Sequence, residues 1–519
     1  MTLAVHAPVA PPAPMTAGEG ARDGAAYLAG LADGRQVYHA GRLIADVTRH
    51  PGFAPAAQTI AGIYDLQSDP AYAGQMTAPW EGAFISASYL PPVTIEQLRL
   101  KRRNADIQSR ATMGFMGRLP DFCSNLVVGL LNAAEDLRGA GVVFKDPAMA
   151  GRVALDCGAN AIAYHRFAAT RDLALTHALN DQFYDRTKPA AAQPNPDQIL
   201  RVVRETPEGA VVRGLRNLVT LAPLADEALV YPNRPREAGE ADWALAFALP
   251  MNAAGLHILC RDLYATHGPA SRLPLSSCFD EVDATLIFDD VLVPWERFFV
   301  YRDPAMVNRL LGLINPPWAG YVAMTRLAVK LESIAAVAEL MTRWDGRAGH
   351  RPTHALIGQL LADLEVHRVC LDAMEAGAAR TPAGYLAPLA RDAFRLHGVG
   401  ASDRAESLLE DILTSSLILT GGEADLDAPE IGGLVDQFFR GNAPDTRHHL
   451  RLMAVAGDML QSAFGARSQL YERFHMGPPE MIRARLYGKT DREPMVARLQ
   501  RALDAIGAHP RDAVGQRLG

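Results

Sequence analysis

Cysteine is scarce in this chain, with five residues in 519, at positions 123, 157, 260, 278 and 370. They are scattered, odd in number and contain no CxxC pair. This argues against a disulfide framework and against a zinc site, and it is typical of a protein of the reducing cytoplasm. We therefore predict a cytoplasmic protein without a metal centre.

Long apolar runs are also missing. No stretch approaches the roughly 18 apolar residues of a membrane helix, so no membrane partner is expected. The N-terminus is rich in Pro and Ala and lacks the basic segment of a signal peptide. We predict a disordered tail over residues 1–20.

An excess of positive charge is lacking as well. Lys and Arg total 51 against 58 Asp and Glu, giving a net charge of −7, which argues against a nucleic-acid partner. Neither GxGxxG nor GxxxxGK[ST] occurs, so a nucleotide cofactor would be held without a Rossmann or P-loop turn.

What is present is a change of periodicity along the chain. Helical spacing dominates residues 21–168 and returns over residues 303–519, where long amphipathic segments favour a bundle. Between them, over residues 169–302, short apolar runs alternate with Gly, Pro, Asn and Asp, which favours an antiparallel barrel or sandwich. The strand-like runs are QILRVVRE, GAVVRG, NLVTLA, EALVYP, ALAFALP, GLHILC and ATLIFDDVLVP. We predict a mostly helical α+β protein with three domains in this order.

The stretch FMGRLPDF places Arg118 where one helix must end and another can begin. Pro120 breaks the first helix, and Asp121 is the expected N-cap of the second. A guanidinium beside a helix N-terminus favours an anionic ligand. The alternative is a surface arginine that caps the preceding helix.

Six segments, in order, carry a resemblance to a known family over about residues 27–475. They are YLAGLADGRQVYHAGRLIADVTRHPGF, MGRLPDF, LTHALNDQFYDR, PLSSCFDEVDATLIFDDVLVPWERFFVYRD, RLAVKLESI and FGARSQLYERF. The chain resembles the oxygenase component of the two-component, flavin-dependent aromatic monooxygenases, the 4-hydroxyphenylacetate 3-monooxygenase family.

The resemblance implies an acyl-CoA dehydrogenase-like fold: N-terminal helices, a middle antiparallel β barrel and a C-terminal four-helix bundle, assembled as a homotetramer. It implies hydroxylation of a phenolic substrate with O2 through a C4a-hydroperoxyflavin. The reduced flavin would be FADH2 rather than FMNH2, supplied by a separate NAD(P)H-dependent reductase. Bound oxidised FAD would be the other redox form.

The resemblance also implies a set of site residues. Arg118 and His177 are expected to contact the phenol oxygen as catalytic groups, with Phe122 beside the substrate; without the resemblance, His177 reads as a histidine satisfied within a β element. Flavin contacts are expected from His177 and from three further segments: Phe183, Tyr184, Asp185 and Arg186; Thr220; and Ser462, Ala463, Phe464 and Gly465, with Arg467 close by.

Some positions depart from the family pattern. Phe122 stands where the family motif has tyrosine, and Cys278 stands where arginine is usual. A lost hydroxyl and a lost positive charge favour a substrate other than 4-hydroxyphenylacetate. We therefore expect natural-product tailoring of a small aromatic substrate, either free or carrier-bound.

Three other functions are open. An acyl-CoA dehydrogenase-like oxidoreductase would need a carboxylate base in the bundle, for which Glu406, Glu410 and Asp411 are available, although such charges usually form a solvated face. A 4-hydroxybutyryl-CoA dehydratase would need an iron–sulfur cluster, for which Cys123, Cys260 and Cys278 are available. A non-catalytic flavin-binding protein is the third alternative.

Overall fold

The computed structural model describes residues 20–182, 185–419, 421–504 and 506. Apart from Gly20, the predicted disordered tail lies outside the described residues. So do residues 507–519 of the predicted C-terminal tail and the expected flavin contacts Phe183 and Tyr184.

The N-terminal part is mainly helical. Its helices are α1 (Gly24–Gly30), α2 (Ala54–Asp65), α3 (Ile95–Arg110), α4 (Pro120–Asn132), α5 (Ala134–Arg138) and α6 (Cys157–Arg171). Two hairpins interrupt them, β1 (Gln36–His39) with β2 (Arg42–Ile44), and β3 (Thr77–Trp80) with β4 (Ala83–Ser86). The Thr94 hydroxyl caps α3 by accepting from the Gln97 N–H at 3.3 Å. The first hairpin precedes the proposed domain boundary at residue 168, but it belongs to a sheet of the middle part because β1 pairs with β10.

The middle part consists of two sheets. It contains β5 (Leu175–Ala178), β6 (Arg201–Thr206), β7 (Gly209–Thr220), β8 (Glu227–Val230), β9 (Leu245–Pro250), β10 (Leu256–Cys260), α7 (Pro274–Phe279), β11 (Asp283–Pro294) and β12 (Phe298–Tyr301). One sheet has the order β2-β1-β10-β11-β7-β6 and the other β12-β9-β8-β5. Their inner faces share one apolar core, in which the rings of Phe247 and Phe288 lie 6.3 Å apart.

The predicted antiparallel barrel is therefore corrected in one respect. Among the described residues the strands form two facing sheets and do not close into a barrel. The pairs β1–β10 and β5–β8 are parallel, and one strand of each pair comes from the chain before β6. The predicted mostly helical α+β class, with the order helices, sheets, helices, is confirmed.

The C-terminal part is a helical bundle. Its elements are α8 (Pro304–Ile314), a π-helical turn (Asn315–Ala319), α9 (Gly320–Trp344), α10 (Arg351–Ala376), β13 (Ala379–Arg380), β14 (Leu386–Ala387), α11 (Asp392–Leu413), α12 (Ser416–Leu419), α13 (Glu423–Asp427), α14 (Gly432–Phe439), α15 (Thr446–Leu460), α16 (Ala463–Phe474), α17 (Pro479–Lys489) and α18 (Glu493–Asp504). The long helices α9, α10 and α11 pack pairwise, and α16 packs on α11. None of the helices in the described ranges is long and apolar enough to span a bilayer.

Buried ion pairs connect the bundle helices. Lys330 of α9 donates to Glu406 of α11 at 3.1 Å and to the Ser468 hydroxyl of α16 at 2.9 Å. Arg326 of α9 makes two 2.7 Å hydrogen bonds to Glu472 of α16. These pairs fix the register of α16, which carries one wall of the candidate site.

Candidate active site

Arg118 lies in the loop between α3 and α4, as the sequence indicates. Helix α4 begins at Pro120, whose fixed φ suits a first helical position, and Leu119 occupies the N-cap position. The prediction that Asp121 is the N-cap is therefore wrong: it lies inside α4 with its side chain buried. Arg118 itself is only 7 % exposed, so it is not a surface cap.

The Arg118 guanidinium is held at two of its three nitrogens. Nε donates to Nε2 of His177 at 3.1 Å. Nη1 donates to the Gly117 carbonyl at 3.0 Å and also contacts the Tyr471 hydroxyl. Nη2 has no hydrogen-bond partner among the described residues. It is the nitrogen that remains for a ligand.

His177 lies on β5 and is 8 % exposed. Burial and the neighbouring Arg118 lower its pKa well below the usual value, so the ring is neutral at pH 7. Because Nε2 accepts a hydrogen bond from Arg118, the proton of the neutral ring is assigned to Nδ1. Nδ1 is buried and has no partner in the described part of the chain. His177 therefore offers one N–H donor and no free acceptor.

Aromatic side chains surround this pair. The Phe122 ring meets the His177 ring edge-on, with centroids 5.2 Å apart, and lies 3.9 Å from the guanidinium carbon of Arg118. Tyr471 lies 5.0 Å from the same carbon and stacks on His475 at 4.2 Å. Sequence reasoning missed both Tyr471 and His475. The signal was available, since Tyr471 lies seven residues after Phe464 on the same face of α16.

Thr220 and α16 lie at the same site. The Thr220 hydroxyl donates to Asp283 at 2.7 Å, and Asp283 in turn accepts from Arg467 of α16 at 2.8 and 2.9 Å. The Thr220 carbonyl accepts from Thr176, the neighbour of His177, at 2.7 Å. The structure thus brings together Arg118, Phe122, His177 and Thr220 with the start of α16.

The turn of Ser462, Ala463, Phe464 and Gly465 begins α16. The Ser462 hydroxyl caps the helix by accepting from the Gly465 N–H at 2.9 Å. A Cβ at Gly465 would collide with the Met459 carbonyl, so this close approach requires glycine. Phe464 is buried, and its ring lies 6.1 Å from that of Phe115.

Asp185 and Arg186 lie on a loop apart from this group. Asp185 is engaged by its own loop: it accepts from the Thr187 N–H and hydroxyl at 3.0 and 2.6 Å and pairs with Lys188. Arg186 is exposed. No contact in the described residues joins them to Arg118 or His177.

An ion network supports the site from behind. Glu281 accepts from the Arg118 backbone N–H at 2.5 Å and from Arg467 at 2.9 Å. Burial raises the pKa of Asp283, but Arg467 and Arg261 outweigh it and hold that pKa well below its usual range. Both carboxylates are therefore engaged by cations, and neither is free to act as a base.

The carboxylate needed by an acyl-CoA dehydrogenase-like reaction is not free either. Glu406 is 8 % exposed and pairs with Lys330, so the expectation that it lies on a solvated face is wrong. Glu410 and Asp411 are exposed, as that expectation requires. No cluster of three metal-ligating side chains occurs within the described ranges.

Two family models cover most of the chain: 4-hydroxyphenylacetate 3-hydroxylase N terminal matches residues 23–300, and the C-terminal model matches residues 317–504. The chain is 34 % identical over 486 residues to the 4-hydroxyphenylacetate 3-monooxygenase oxygenase component of Thermus thermophilus, which covers 92 % of this chain and 97 % of that protein. It is also 34 % identical over 473 residues to the pyoverdin chromophore biosynthetic protein PvcC of Pseudomonas aeruginosa, covering 89 % and 90 %.

A solved structure of a 4-hydroxyphenylacetate 3-monooxygenase oxygenase component, complexed with FAD and 4-hydroxyphenylacetate, superposes with a TM-score of 0.84 at 33 % identity. The match covers 92 % of this chain and 98 % of the other. Fold and matches together define the oxygenase component of a two-component monooxygenase. More particularly, the chain belongs to the 4-hydroxyphenylacetate 3-hydroxylase family. The predicted family and enzyme class are confirmed.

Proposed function

We propose that this chain hydroxylates a phenol with O2, using reduced FAD supplied by a separate NAD(P)H-dependent reductase. One oxygen atom enters the ring, and the other leaves as water while FADH2 becomes FAD. The observation that carries the proposal is a pair of donors that lack a partner among the described residues, Nη2 of the buried Arg118 and Nδ1–H of its neighbour His177. Two donors beside an aromatic wall suit the oxygen of a phenol.

The two donors act on the charge of that oxygen. The positive charge of the Arg118 guanidinium favours the phenolate, which is the more reactive form toward an electrophilic oxygen. His177 adds a second hydrogen bond and remains neutral. It has no acceptor left for the phenol proton, and Glu281 and Asp283 are engaged, so that proton leaves to solvent.

The donor set also fits a flavin. Thr220 and the turn of Ser462, Ala463, Phe464 and Gly465 would hold the ring system beside His177. Arg186, exposed on its loop with Asp185, would meet a phosphate. The similarity to a protein solved with FAD supports FAD over FMN. Reduced flavin, when bound, supplies the two electrons with which O2 is activated.

The test is oxygen incorporation. The purified chain, a flavin reductase, NADH and FAD are incubated under 18O2 with a panel of phenols, and the products are analysed by mass spectrometry. We expect one labelled oxygen in the product of at least one phenol. Hydrogen peroxide as the sole oxygen product, with every phenol of the panel unchanged, would overturn the proposal.

We further propose a biosynthetic tailoring role, supported by the similarity to PvcC and by the departures at Phe122 and Cys278. The panel therefore pairs 4-hydroxyphenylacetate with neutral para-substituted phenols, free and attached to a carrier. We expect kcat/KM to be at least about tenfold higher for a neutral phenol, since a tenfold preference needs only about 1.4 kcal/mol of transition-state binding. A preference for 4-hydroxyphenylacetate would refute the tailoring role and leave the hydroxylase intact.

The neutral state of His177 predicts the pH dependence. Because its pKa lies well below 6.5, His177 does not titrate between pH 6 and 9. We expect phenol binding in this range to follow the ionisation of each phenol, so the inflection moves when a phenol of different pKa is used. Binding measured by fluorescence titration with two phenols checks this. A common inflection near pH 6.5 would show that a histidine in the site titrates.

We also propose the homotetramer that the resemblance implies. Helix α18 has no buried residue, and it exposes Met495, Val496, Leu499 and Leu503 at spacings that form one apolar stripe. Replacing Leu499 by glutamate should reduce the assembly state measured by light scattering. The matched control is Gln500→Glu, one residue along on the exposed surface, which should leave it unchanged. If the Leu499→Glu variant and the Gln500→Glu variant both keep the wild-type mass, α18 is excluded from the interface.

A further inference from the structure

Tyr471 lies in the candidate site, but it has no role in the reaction proposed above. Its hydroxyl contacts Nη1 of Arg118 and donates to the Gly117 carbonyl at 3.2 Å. The guanidinium carbons of Arg118, Arg326 and Arg467 lie 5.0, 5.3 and 5.3 Å from the centre of its ring. The ring is nearly parallel to that of His475, with an angle of 8° between their planes.

Charged groups, and the imidazole of His475 that burial keeps neutral by lowering its pKa to about 3, face Tyr471 from every element packed against it. Arg118 lies in the α3–α4 loop, Arg326 on α9, Glu281 just before β11, and Arg467, Glu472 and His475 on or beside α16. Burial raises the pKa of the Tyr471 hydroxyl, although Arg118 and Arg326 oppose this, so the hydroxyl stays protonated. The hydroxyl donates its proton to the Gly117 carbonyl, and its oxygen can accept a hydrogen bond from Nη1 of Arg118.

The position of Tyr471 is fixed by close packing. A Cβ at Gly117 would overlap the Tyr471 ring and hydroxyl, so glycine is required there for the contact to form. Glu472, the next residue on α16, is held by Arg326 at 2.7 Å through both carboxylate oxygens. The Tyr471 hydroxyl therefore has little freedom to leave Arg118.

We propose that Tyr471 is a positioning residue for the phenol site: its hydroxyl fixes Nη1 of Arg118 while His177 fixes Nε, so that Nη2 is directed at the phenol oxygen. The inference rests on the proposed phenol site. Without the hydroxyl, Nη1 keeps only the Gly117 carbonyl as a partner among the described residues, so the guanidinium is held less firmly. A less firmly held cation stabilises the phenolate less than a fixed one.

The test uses 4-nitrophenol, whose phenolate has its own visible absorption band. The wild-type chain should bind the probe and shift its ionisation to lower pH than in free solution. Tyr471→Phe keeps the ring and removes only the hydroxyl. We expect the ionisation of the bound probe to move back toward its solution value and the affinity to fall about tenfold or more.

Two further variants sharpen the test. Gly117→Ala displaces the Tyr471 ring without changing its chemistry, and it should reproduce the spectral effect. Tyr487→Phe, at a tyrosine on α17 that is 66 % exposed, is the matched control and should behave as wild type.

The outcomes separate the inference from the function it rests on. If the wild-type chain and Arg118→Met give the same probe spectrum, the phenol site itself is wrong. If Arg118→Met loses the shift but Tyr471→Phe keeps it, or binds the phenolate more tightly because Nη1 is released, the positioning role of Tyr471 is overturned. A back-shift in Tyr471→Phe and Gly117→Ala, without one in Tyr487→Phe, supports it.

Discussion

Replacing Arg118 by methionine should lower kcat/KM for hydroxylation by about 10²–10³-fold, the range found when one donor to a developing oxyanion is removed. Methionine keeps much of the length and apolar contact with Phe122 but has no charge and no donor. The phenol then loses the cation that favours its ionised form. The measurement is the rate of oxygen incorporation with the best phenol of the panel.

Arg118→Lys is the informative companion variant. Lysine keeps the charge, but it cannot bond His177 and Tyr471 through separate nitrogens while directing a third at the ligand. We expect activity between that of the wild type and that of Arg118→Met. FAD binding, followed by fluorescence quenching, should change little in either variant because Arg118 itself is not among the predicted flavin contacts. Full hydroxylase activity in Arg118→Met would exclude Arg118 from the chemistry.

Local features of the fold were predictable where the pattern is local. Every strand-like run of the middle part is a strand, and the loop at Arg118 lies where Pro120 indicates. GAVVRG and NLVTLA, however, are a single strand, β7, because Gly214 and Leu218 adopt positive φ within it and do not end it. The arrangement of the strands in two facing sheets depends on which strands pair. Neither parallel pair joins strands that are consecutive in the chain, so a local pattern could not predict these pairs.

The candidate site shows the same division. Arg118 and His177 were predicted as site residues from the family resemblance, but the proton on Nδ1 follows only from the Arg118–His177 contact across 59 residues. The contact of Arg118 with Tyr471 spans 353 residues, so no periodicity could pair them. Conversely, the resemblance predicts that Asp185 contacts the flavin, but in the structure its carboxylate accepts hydrogen bonds from Thr187 of its own loop.

Of the substitutions proposed for this chain, Arg467→Met should lower the free energy of unfolding the most. Arg467 binds Asp283 through two nitrogens and Glu281 through the third, at 2.8–2.9 Å. Glu281 is fully buried, and among the described residues its carboxylate would keep only the backbone N–H of Arg118 as a hydrogen-bond donor. Removing one partner of a buried ion pair costs about 3–5 kcal/mol, because the other charge remains without compensation. Chemical denaturation at one fixed protein concentration measures the loss.

The control is the same substitution on the same helix. Arg473 pairs with Asp403 at 3.1 Å, and both side chains are at least 40 % exposed. An exposed pair contributes about 0–1 kcal/mol, so Arg473→Met should be nearly neutral. Similar losses in the two variants would mean that the effect comes from the helix and not from the ion network.

The pH dependence of this difference has a definite sign. The pKa of Asp283 is lower in the folded chain than in the unfolded one, so its ion pair stabilises the fold above about pH 4 and loses that effect as the pH falls. In Arg467→Met, Asp283 keeps Arg261 at 3.2 Å but loses Arg467, so its pKa should lie closer to the unfolded value. The gap in unfolding free energy between wild type and variant should therefore stay constant from pH 7 to about pH 4 and narrow as the pH falls below 4. A gap that also stays constant below pH 4 would show that Arg467 stabilises the chain through packing and not through its ion pair with Asp283.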